Sequence, residues 1–228
     1  MWVCHLGLVE YREAFALQER LRAARQAGAI GDVLLLLEHP MVYTRGRRSG
    51  PGELPMGESW YLSQGIDVVD TDRGGRVTYH GPGQLVGYPI MRVDDVLDYV
   101  RTMERAIVAA LADEGIAARV RTDEGPDFTG VWAGERKIAS IGVHVARGVS
   151  THGFAVNVQN DLQPFEWIVP CGLEGVRMTS VLRETGRTGE VLAPFRARMA
   201  QRFTEAFGAE ADEVDPERLA GAAATAGP

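Results

Sequence analysis

The stretch from Arg73 to Tyr88, RGGRVTYHGPGQLVGY, constrains the fold more than any other part of the sequence. Its sixteen residues include five glycines and two short runs of β-branched or aromatic residues, which predicts a strand, a tight turn and a second strand. Gly74 and Gly75 allow positive φ or a close approach to a ligand, and residues 81–83 predict a rigid turn with His80 at its edge. An ordinary hairpin with a packed histidine explains the same pattern.

Length, hydrophobic content and charge limit the class of protein. The 228 residues are 45% hydrophobic, which is enough for one substantial core. The simplest organisation is a single α/β domain over residues 1–207, followed by an acidic and then Ala/Gly-rich tail over 208–228. We expect this tail to be poorly ordered from about Asp212. The formal net charge of −7 argues against a nucleic-acid-binding protein.

Targeting and redox signals are weak. No apolar run approaches the ~20 residues that a membrane span needs, and residues 1–8 lack the regions of a signal peptide. The sequence therefore predicts a cytoplasmic protein without membrane association. The two cysteines, Cys4 and Cys171, are far apart and outside any CxxC or His-rich spacing, which predicts reduced thiols and no metal site.

Cys171 has the local sequence of an accessible nucleophile. It lies between Pro170 and Gly172, so the proline can fix the turn while the glycine leaves room for a substrate. A cysteine attacks as the thiolate, which requires a nearby cation or base near neutral pH. Burial is the commoner explanation for a cysteine, and it is what we expect of Cys4.

Lys137 is the single lysine among the 24 lysine and arginine residues of the chain. A compositional preference for arginine would not spare one particular lysine, unless that position needs an amine. A desolvated lysine can release a proton and act as a base, whereas an arginine keeps its proton at any relevant pH. Lys137 is therefore a candidate for a chemical role, with chance survival as the alternative.

Periodicity predicts a mixed set of strands and helices. Residues 3–8 predict an edge strand, and residues 32–38 a strand buried on both faces, after which His39 is packed or solvated. Helices are predicted over residues 10–26, from Asp94-Asp95 to Gly115 with Val96 and Leu97 on its apolar face, and over 190–207. Further strands are predicted over residues 67–70, 117–120, 130–132, 136–146 and 151–158, and the first of these should continue the same sheet.

Five motifs, in this order, resemble those of the lipoyl(octanoyl) transferases. They are the RGG…TYHGPGQ signature from Arg73, GVW at 130–132, KIASIGV at 137–143, HGFAVNV at 152–158 and IVPCG at 168–172. The resemblance covers about residues 1–207. It implies the fold of the biotin/lipoyl protein ligase catalytic domain, which is a mixed sheet with flanking helices.

The same resemblance implies a two-step acyl transfer. Cys171 would take an octanoyl group from acyl carrier protein as a thioester, and a lysine of a lipoyl domain would then attack it. Lys137 would lower the pKa of the thiol and exchange protons. The implied acceptors are the lipoyl domains of 2-oxoacid dehydrogenase complexes and the glycine cleavage H protein, and the implied enzyme is a monomer without a cofactor.

The implied substrate-binding residues form three segments. They are Arg73, Gly74, Gly75, Arg76, Val77, Thr78, Tyr79 and His80; Ser140, Ile141 and Gly142; and Gly153, Phe154 and Ala155. Backbone amides near Gly74, Gly75 and His80 would stabilise the oxyanion. The small residues together with Phe154 suit a narrow acyl channel.

An acidic carrier requires a basic surface, and Arg45, Arg47 and Arg48 are the candidates for it. The acidic loop over residues 123–128 does not match the family pattern. Three alternatives remain: an ATP-dependent lipoate or biotin ligase of the same fold, a non-catalytic acyl-binding or carrier-binding module, and a Cys-His thiol hydrolase with His80 or His152 as the base. A ligase would not need Cys171, and no Walker-type loop is present.

Overall fold

The computed structural model describes residues 1–169 and 175–224. Its strands are β1 (Trp2–Leu8), β2 (Val33–Glu38), β3 (Val42–Arg45), β4 (Asp67–Asp70), β5 (Thr78–His80), β6 (Gln84–Ile90), β7 (Ala118–Val120), β8 (Gly130–Ala133), β9 (Arg136–Ala146), β10 (Val149–Asn157), β11 (Arg177–Met178) and β12 (Asp212–Glu213). Its α-helices are α1 (Tyr11–Gln26), α2 (Glu58–Ser63), α3 (Val96–Asp113), α4 (Val181–Thr185), α5 (Leu192–Ala206) and α6 (Pro216–Ala224).

Two sheets organise these elements. The main sheet has the order β12-β1-β2-β6-β10-β9-β8-β7, with β11 paired to β9, and the small sheet has the order β4-β3-β5. The main sheet is mixed, because β1 runs parallel to both β2 and β12 while β6, β10 and β9 are antiparallel neighbours. The predicted mixed sheet with flanking helices is confirmed.

The glycine-rich signature is not a hairpin. Its strands β5 and β6 follow each other across the turn at residues 81–83, but β5 pairs with β3 in the small sheet and β6 pairs with β2 and β10 in the main sheet. The strand, turn and strand were predicted correctly, whereas the hairpin alternative is wrong. The signature therefore joins the two sheets, and β4 belongs to the small sheet rather than continuing the main one.

The main sheet separates two apolar cores. One core lies against α3 and α5 and includes Phe195, Met199 and Phe203; the other lies against α1 and α6. Strand β2 is buried along its apolar run, as predicted, and His39 at its end is fully buried. In α3, Asp95 caps the N-terminus by accepting from the amides of Leu97 and Asp98.

Three expectations about the periphery are wrong. Strand β1 is not an edge strand, because β12 pairs with it. The described residues from 212 to 224 pack on the domain: Val214 N–H donates to Val3 O, and Leu219 of α6 is buried against the α1 core. The first turn of α3 is not core either, since Val96 and Leu97 are 48% and 64% exposed. The domain boundary at residue 207 stays a prediction.

Candidate functional site

A cavity of about 300 Å³ lies between the two sheets and is lined by most of the predicted substrate-binding residues. Those that line it are Arg73, Gly74, Gly75, Arg76, Thr78, His80, Ser140, Ile141, Gly142, Gly153, Phe154 and Ala155. Val77 and Tyr79 do not, because strand alternation directs them into the aromatic core of the small sheet. The cavity is also lined by Lys137, and by Val96 and Val100 of α3.

A β-bulge places Lys137 on the cavity face of β9. Gly130 pairs with Ser140 and Val131 with Ala139, but Trp132 pairs with Lys137, so that the register shifts by one residue at Ile138. Without the shift, Lys137 would project to the opposite face from Ser140, since successive side chains alternate. Sequence periodicity alone does not reveal this bulge.

The lysine is buried and tightly surrounded. Lys137 is 1% exposed, and its Nζ lies 5.4 Å from the centre of the Trp132 ring. A Cβ on Gly130 would come within 2.8 Å of the Lys137 Cε and 2.4 Å of the Ala139 O. Glycine at 130 therefore leaves the space through which the lysine side chain passes.

A buried carboxylate that sequence reasoning missed holds this glycine. Glu104 of α3 is 1% exposed, accepts the Gly130 N–H at 3.1 Å and is paired with Arg101. Its spacing of four residues from Val100 places it on the buried face of α3. A charged residue at that periodic position was the signal available in the sequence.

The segment at residues 73–75 is fixed by backbone contacts. Buried Arg73 donates to the Thr44 O at 2.7 Å and to the Gly74 O at 3.0 Å, and the Gly74 N–H donates to the Val143 O of β9 at 2.9 Å. A Cβ on Gly142 would lie 2.9 Å from the Gly74 O. The glycines thus allow the segment to contact β9, and the Gly74 amide is not available to an oxyanion, contrary to expectation.

Glu53 connects this segment to the chain that precedes Cys171. Its carboxylate accepts from Arg76 at 2.7 Å and from the Val77 N–H at 3.1 Å, and its carbonyl accepts from the Val169 N–H. After residues 170–174, Met178 of β11 pairs with Lys137, and the Thr179 N–H donates to the Lys137 O at 2.9 Å. Cys171 itself lies outside the described residues.

The other cysteine is unsuited to nucleophilic attack. Cys4 of β1 is fully buried in the α1 core. Burial, followed by the nearby charge of Asp215, raises the pKa of its thiol to about 11. Cys4 is therefore the small buried hydrophobe that was predicted.

One end of the cavity, which we call the inner end, is formed by the rings of Tyr11, His80 and Tyr88. The ring centres of Tyr11 and His80 are 6.1 Å apart, and His39 lies 5.6 Å from His80 and 5.8 Å from Tyr88. Burial lowers the pKa of His80 and that of His39, the latter to about 4, and raises the pKa of Tyr11 to about 12. These side chains are therefore neutral near pH 7.

Asp72, which sequence reasoning also missed, joins two histidines beside the inner end. Its carboxylate accepts from His144 Nδ1 at 2.5 Å and from His152 Nε2 at 2.7 Å. The hydrogen bond from His152 is the main reason that the pKa of Asp72 lies below its usual range. His152 has a φ of +57° and its ring stacks on Phe15 of α1. The two ring nitrogens of His152 therefore face Asp72 and Tyr11.

The opposite end, the mouth, is ionic and partly exposed. Asp127 lies 3.1 Å from Arg48 and 3.7 Å from Arg76, and all three line the cavity. The loop over residues 123–128 thus supplies one wall of the mouth. Arg45 does not belong to a free basic cluster, since it is paired with Glu58 and Asp70 on the small sheet; Arg47 is exposed.

The described residues contain neither a membrane-spanning helix nor a cluster of metal-ligating side chains. No helix in residues 1–169 and 175–224 is long and apolar enough to cross a membrane. Within the same ranges, no three His, Cys, Asp or Glu side chains are grouped as a metal site would require.

Sequence comparison identifies relatives over most of the chain. An octanoyltransferase of Solibacter usitatus is 52% identical over 173 residues, which cover 74% of this chain and 76% of the relative. An octanoyltransferase of Acidothermus cellulolyticus is 46% identical over 209 residues, which cover 88% of this chain and 89% of the relative.

Structure comparison supports the fold. Lipoate-protein ligase A bound with ATP matches with a TM-score of 0.77 at 22% identity, covering 98% of this chain and 92% of that chain. Protein Ta0514 of T. acidophilum with bound lipoic acid matches with a TM-score of 0.74 at 20% identity and the same coverage. Residues 10–207 match the family model of the lipoyl protein ligase A/B catalytic domain. The chain therefore belongs to the lipoyl protein ligase A/B catalytic-domain family, and within it is an acyltransferase of the octanoyltransferase kind.

Proposed function

We propose that this protein transfers an octanoyl group from acyl carrier protein to a lysine of a lipoyl domain, through a thioester on Cys171. The observation that carries the proposal is the buried Lys137, which the β9 bulge turns into the cavity beside β11. The segment with Cys171 connects Val169, bonded to Glu53, to β11. Burial makes Cys4 unfit to form the acyl-enzyme.

In the first step the Cys171 thiolate attacks the octanoyl carbonyl, the new C–S bond forms, and the C–S bond to pantetheine breaks. The pantetheine thiolate leaves and takes a proton from the Lys137 ammonium, which leaves the lysine amine neutral. In the second step the acceptor amine attacks the thioester, loses a proton and displaces Cys171 as thiolate. Lys137 stabilises the thiolate in the first step and accepts the amine proton in the second.

The oxyanion donors are the N–H groups of Gly75 and Arg76 rather than that of Gly74. No hydrogen bond among the described residues uses these two amides, whereas Gly74 N–H is bonded to β9. The hydroxyl of Thr78 lies in the cavity lining, is buried, and has no hydrogen-bond partner in the described part of the chain. It can donate to the same carbonyl oxygen. Each such donor is worth a few kcal/mol in the transition state.

The acidic carrier would dock at the mouth. Arg47 is exposed there, and Arg48 and Arg76 share one partner, the carboxylate of Asp127. The acceptors would be the lipoyl domains of 2-oxoacid dehydrogenase complexes and the glycine cleavage H protein. The proposed enzyme is a cytoplasmic monomer that works without ATP or another cofactor.

The test is the intact mass of the protein after mixing with octanoyl-acyl carrier protein in the absence of ATP. We expect one octanoyl adduct, located by peptide mapping on Cys171, which disappears when lipoyl domain is added. Cys171→Ser should remove the adduct, while the matched variant Cys4→Ser should keep it in its folded fraction. An adduct that requires ATP, or that maps to Cys4, would overturn the proposal in favour of ligation or of another nucleophile.

A further inference from the structure

The protonation of the rings at the inner end follows from their hydrogen bonds. The Gln84 amide nitrogen donates to the Tyr79 O and to the Asn157 Oδ1, each at 3.0 Å, so its oxygen is the atom that faces His80. His80 Nδ1 lies 2.7 Å from this oxygen and must therefore be the protonated nitrogen. Since His80 is neutral, its Nε2 carries a lone pair and no proton.

The hydroxyl proton of Tyr88 is also engaged in a hydrogen bond. His39 Nδ1 lies 2.7 Å from the Val9 O, which can only accept, so Nδ1 is protonated and Nε2 is an acceptor. The Tyr88 hydroxyl lies 2.7 Å from that Nε2 and donates to it. The Tyr88 oxygen therefore presents lone pairs to the cavity.

The Tyr11 hydroxyl makes a longer contact, with His152. Burial lowers the pKa of His152, so its ring is neutral; its Nε2 donates to Asp72, its Nδ1 is an acceptor, and the Tyr11 hydroxyl lies 3.5 Å from that Nδ1. Tyr11, His80 and Tyr88 are each at most 6% exposed and all line the cavity. The inner end thus presents two hydrogen-bond acceptors, the Nε2 of His80 and the hydroxyl oxygen of Tyr88, while Tyr11 makes only the long contact with His152.

An octanoyl tail held at the mouth reaches these rings. Thr78 and His80 of β5 both line the cavity, and alternate residues of a strand lie about 7 Å apart. An extended chain advances about 3.5 Å per three bonds, so the seven bonds from the carbonyl carbon to the last carbon of octanoyl span about 8 Å. A carbonyl beside Thr78 therefore sets the end of the tail beside His80.

We propose that the inner end selects acyl groups by the hydrogen-bonding character of the tail: it admits an apolar tail or one that carries a donor such as a hydroxyl, and it disfavours a tail that carries only an acceptor. A hydroxyl gives its proton to Tyr88 or His80, whereas a carbonyl opposes its lone pairs to theirs and stays unsatisfied when desolvated. This inference rests on the proposed function, because it assumes that the cavity holds the acyl group.

The test compares two carrier-bound acyl groups of equal length and shape, 7-hydroxyoctanoyl and 7-oxooctanoyl, with octanoyl as the reference. We expect acyl-enzyme to form from the hydroxy group at least about fivefold faster than from the oxo group, in line with one net hydrogen bond. In Tyr88→Phe this ratio should fall about threefold. The matched variant Tyr99→Phe should keep it, because Tyr99 is equally buried but bonds Ser150 and Pro89 away from the cavity.

Two results would overturn the inference. One is a ratio near one in the wild type; the other is a ratio in Tyr88→Phe equal to that in Tyr99→Phe. The second of these results would be expected if the tail lay against Val96 and Val100 instead. Val100→Phe would then block octanoyl loading, and Tyr88→Phe would leave the ratio of hydroxy to oxo loading rates unchanged. Failure of octanoyl itself to load would overturn the proposed function, and the preference would then be measured as thermal stabilisation by the free 7-hydroxy and 7-oxo acids.

Discussion

At the mouth of the cavity the charged side chains reach solvent and pair with one another, whereas at the inner end the rings of Tyr11, His80 and Tyr88 are buried and neutral. The carboxylate of Asp127 serves both Arg48 and Arg76 at the mouth. At the inner end, burial lowers the pKa of His80 and raises that of Tyr88. Arg76 at the mouth and His80 at the inner end are only four residues apart, on β5 and the segment that leads into it.

This difference matches two tasks. In the proposed function, charge and proton exchange are useful where an acidic carrier and an amine approach, and the mouth keeps them in a partly aqueous setting where exposed pairs cost little. An apolar tail requires neutral walls, because an unpaired buried charge is costly. Lys137 carries out the proton exchange that we assign to the mouth, although its side chain is as buried as the rings of the inner end.

The largest expected effect comes from removing the amine at the mouth. Lys137→Arg keeps a positive charge but cannot release a proton near neutral pH. The acyl-enzyme should form, and its transfer to the lipoyl domain should slow by at least about 100-fold, as expected for loss of a general base. Single-turnover mass spectrometry follows both steps. Arg136→Lys, an adjacent exposed position, is the control and should transfer normally; wild-type transfer by Lys137→Arg would mean that charge alone suffices.

A smaller effect is expected from crowding the lysine rather than replacing it. Gly130 has a φ of +133° and leaves no room for a Cβ next to Lys137, so Gly130→Ala should lower kcat at least about tenfold by displacing the amine. Gly134→Ala is the matched control, with a φ of +58° and open space around it. It should cost about 1 kcal/mol of stability through its backbone conformation. Equal kcat values for the folded fractions of Gly130→Ala and Gly134→Ala would mean that Gly130 does not position Lys137.

The sequence predicted most elements of this architecture but not how they are joined. Helices α1 and α5 and strands β2, β4 and β9 lie within about two residues of their predicted bounds, because local periodicity and Gly or Pro boundaries determine them. The pairing of β5 with β3 rather than β6 is a non-local event that local pattern does not encode. The hairpin alternative therefore failed while its strands did not.

The site was predictable to a similar degree. Lys137 stood out by composition, yet the bulge that turns it into the cavity depends on the register between β8 and β9. Glu53 and Asp72 looked like ordinary surface carboxylates, and Glu104 was a charged residue at an apolar helical position. Only their contacts in the fold reveal that they hold the backbone and ring groups around the cavity. Val96 and Leu97 fitted the helical pattern but are exposed, and Val96 contributes to the cavity lining rather than to a core.

The neutral inner end should make stability fall in mild acid. The pKa of His39 is lowered to about 4 in the folded protein by burial, against about 6.5 when unfolded. The unfolded chain therefore binds a proton between about pH 6.5 and 4 that the folded chain does not, and this stability is lost as pH falls through that window, by up to about 3 kcal/mol. His39→Gln should reduce the loss between pH 7 and 4.5 in urea unfolding, and an unchanged pH dependence would contradict a neutral His39.

The smallest effect is expected at the exposed rim of the mouth, and it tests whether charge there serves docking. Arg47 is exposed and, in the described part of the chain, has no ion pair of its own, whereas Arg45 and Arg48 are paired and would confound a test. Arg47→Glu should raise the KM for octanoyl-acyl carrier protein about threefold at low salt and leave kcat unchanged, since exposed charges act mainly on encounter. The increase should shrink as salt is added. Arg105→Glu on α3, equally exposed but with its guanidinium near Asp98, controls for net charge: the same rise in both variants would mean that overall charge, and not the mouth, guides the carrier.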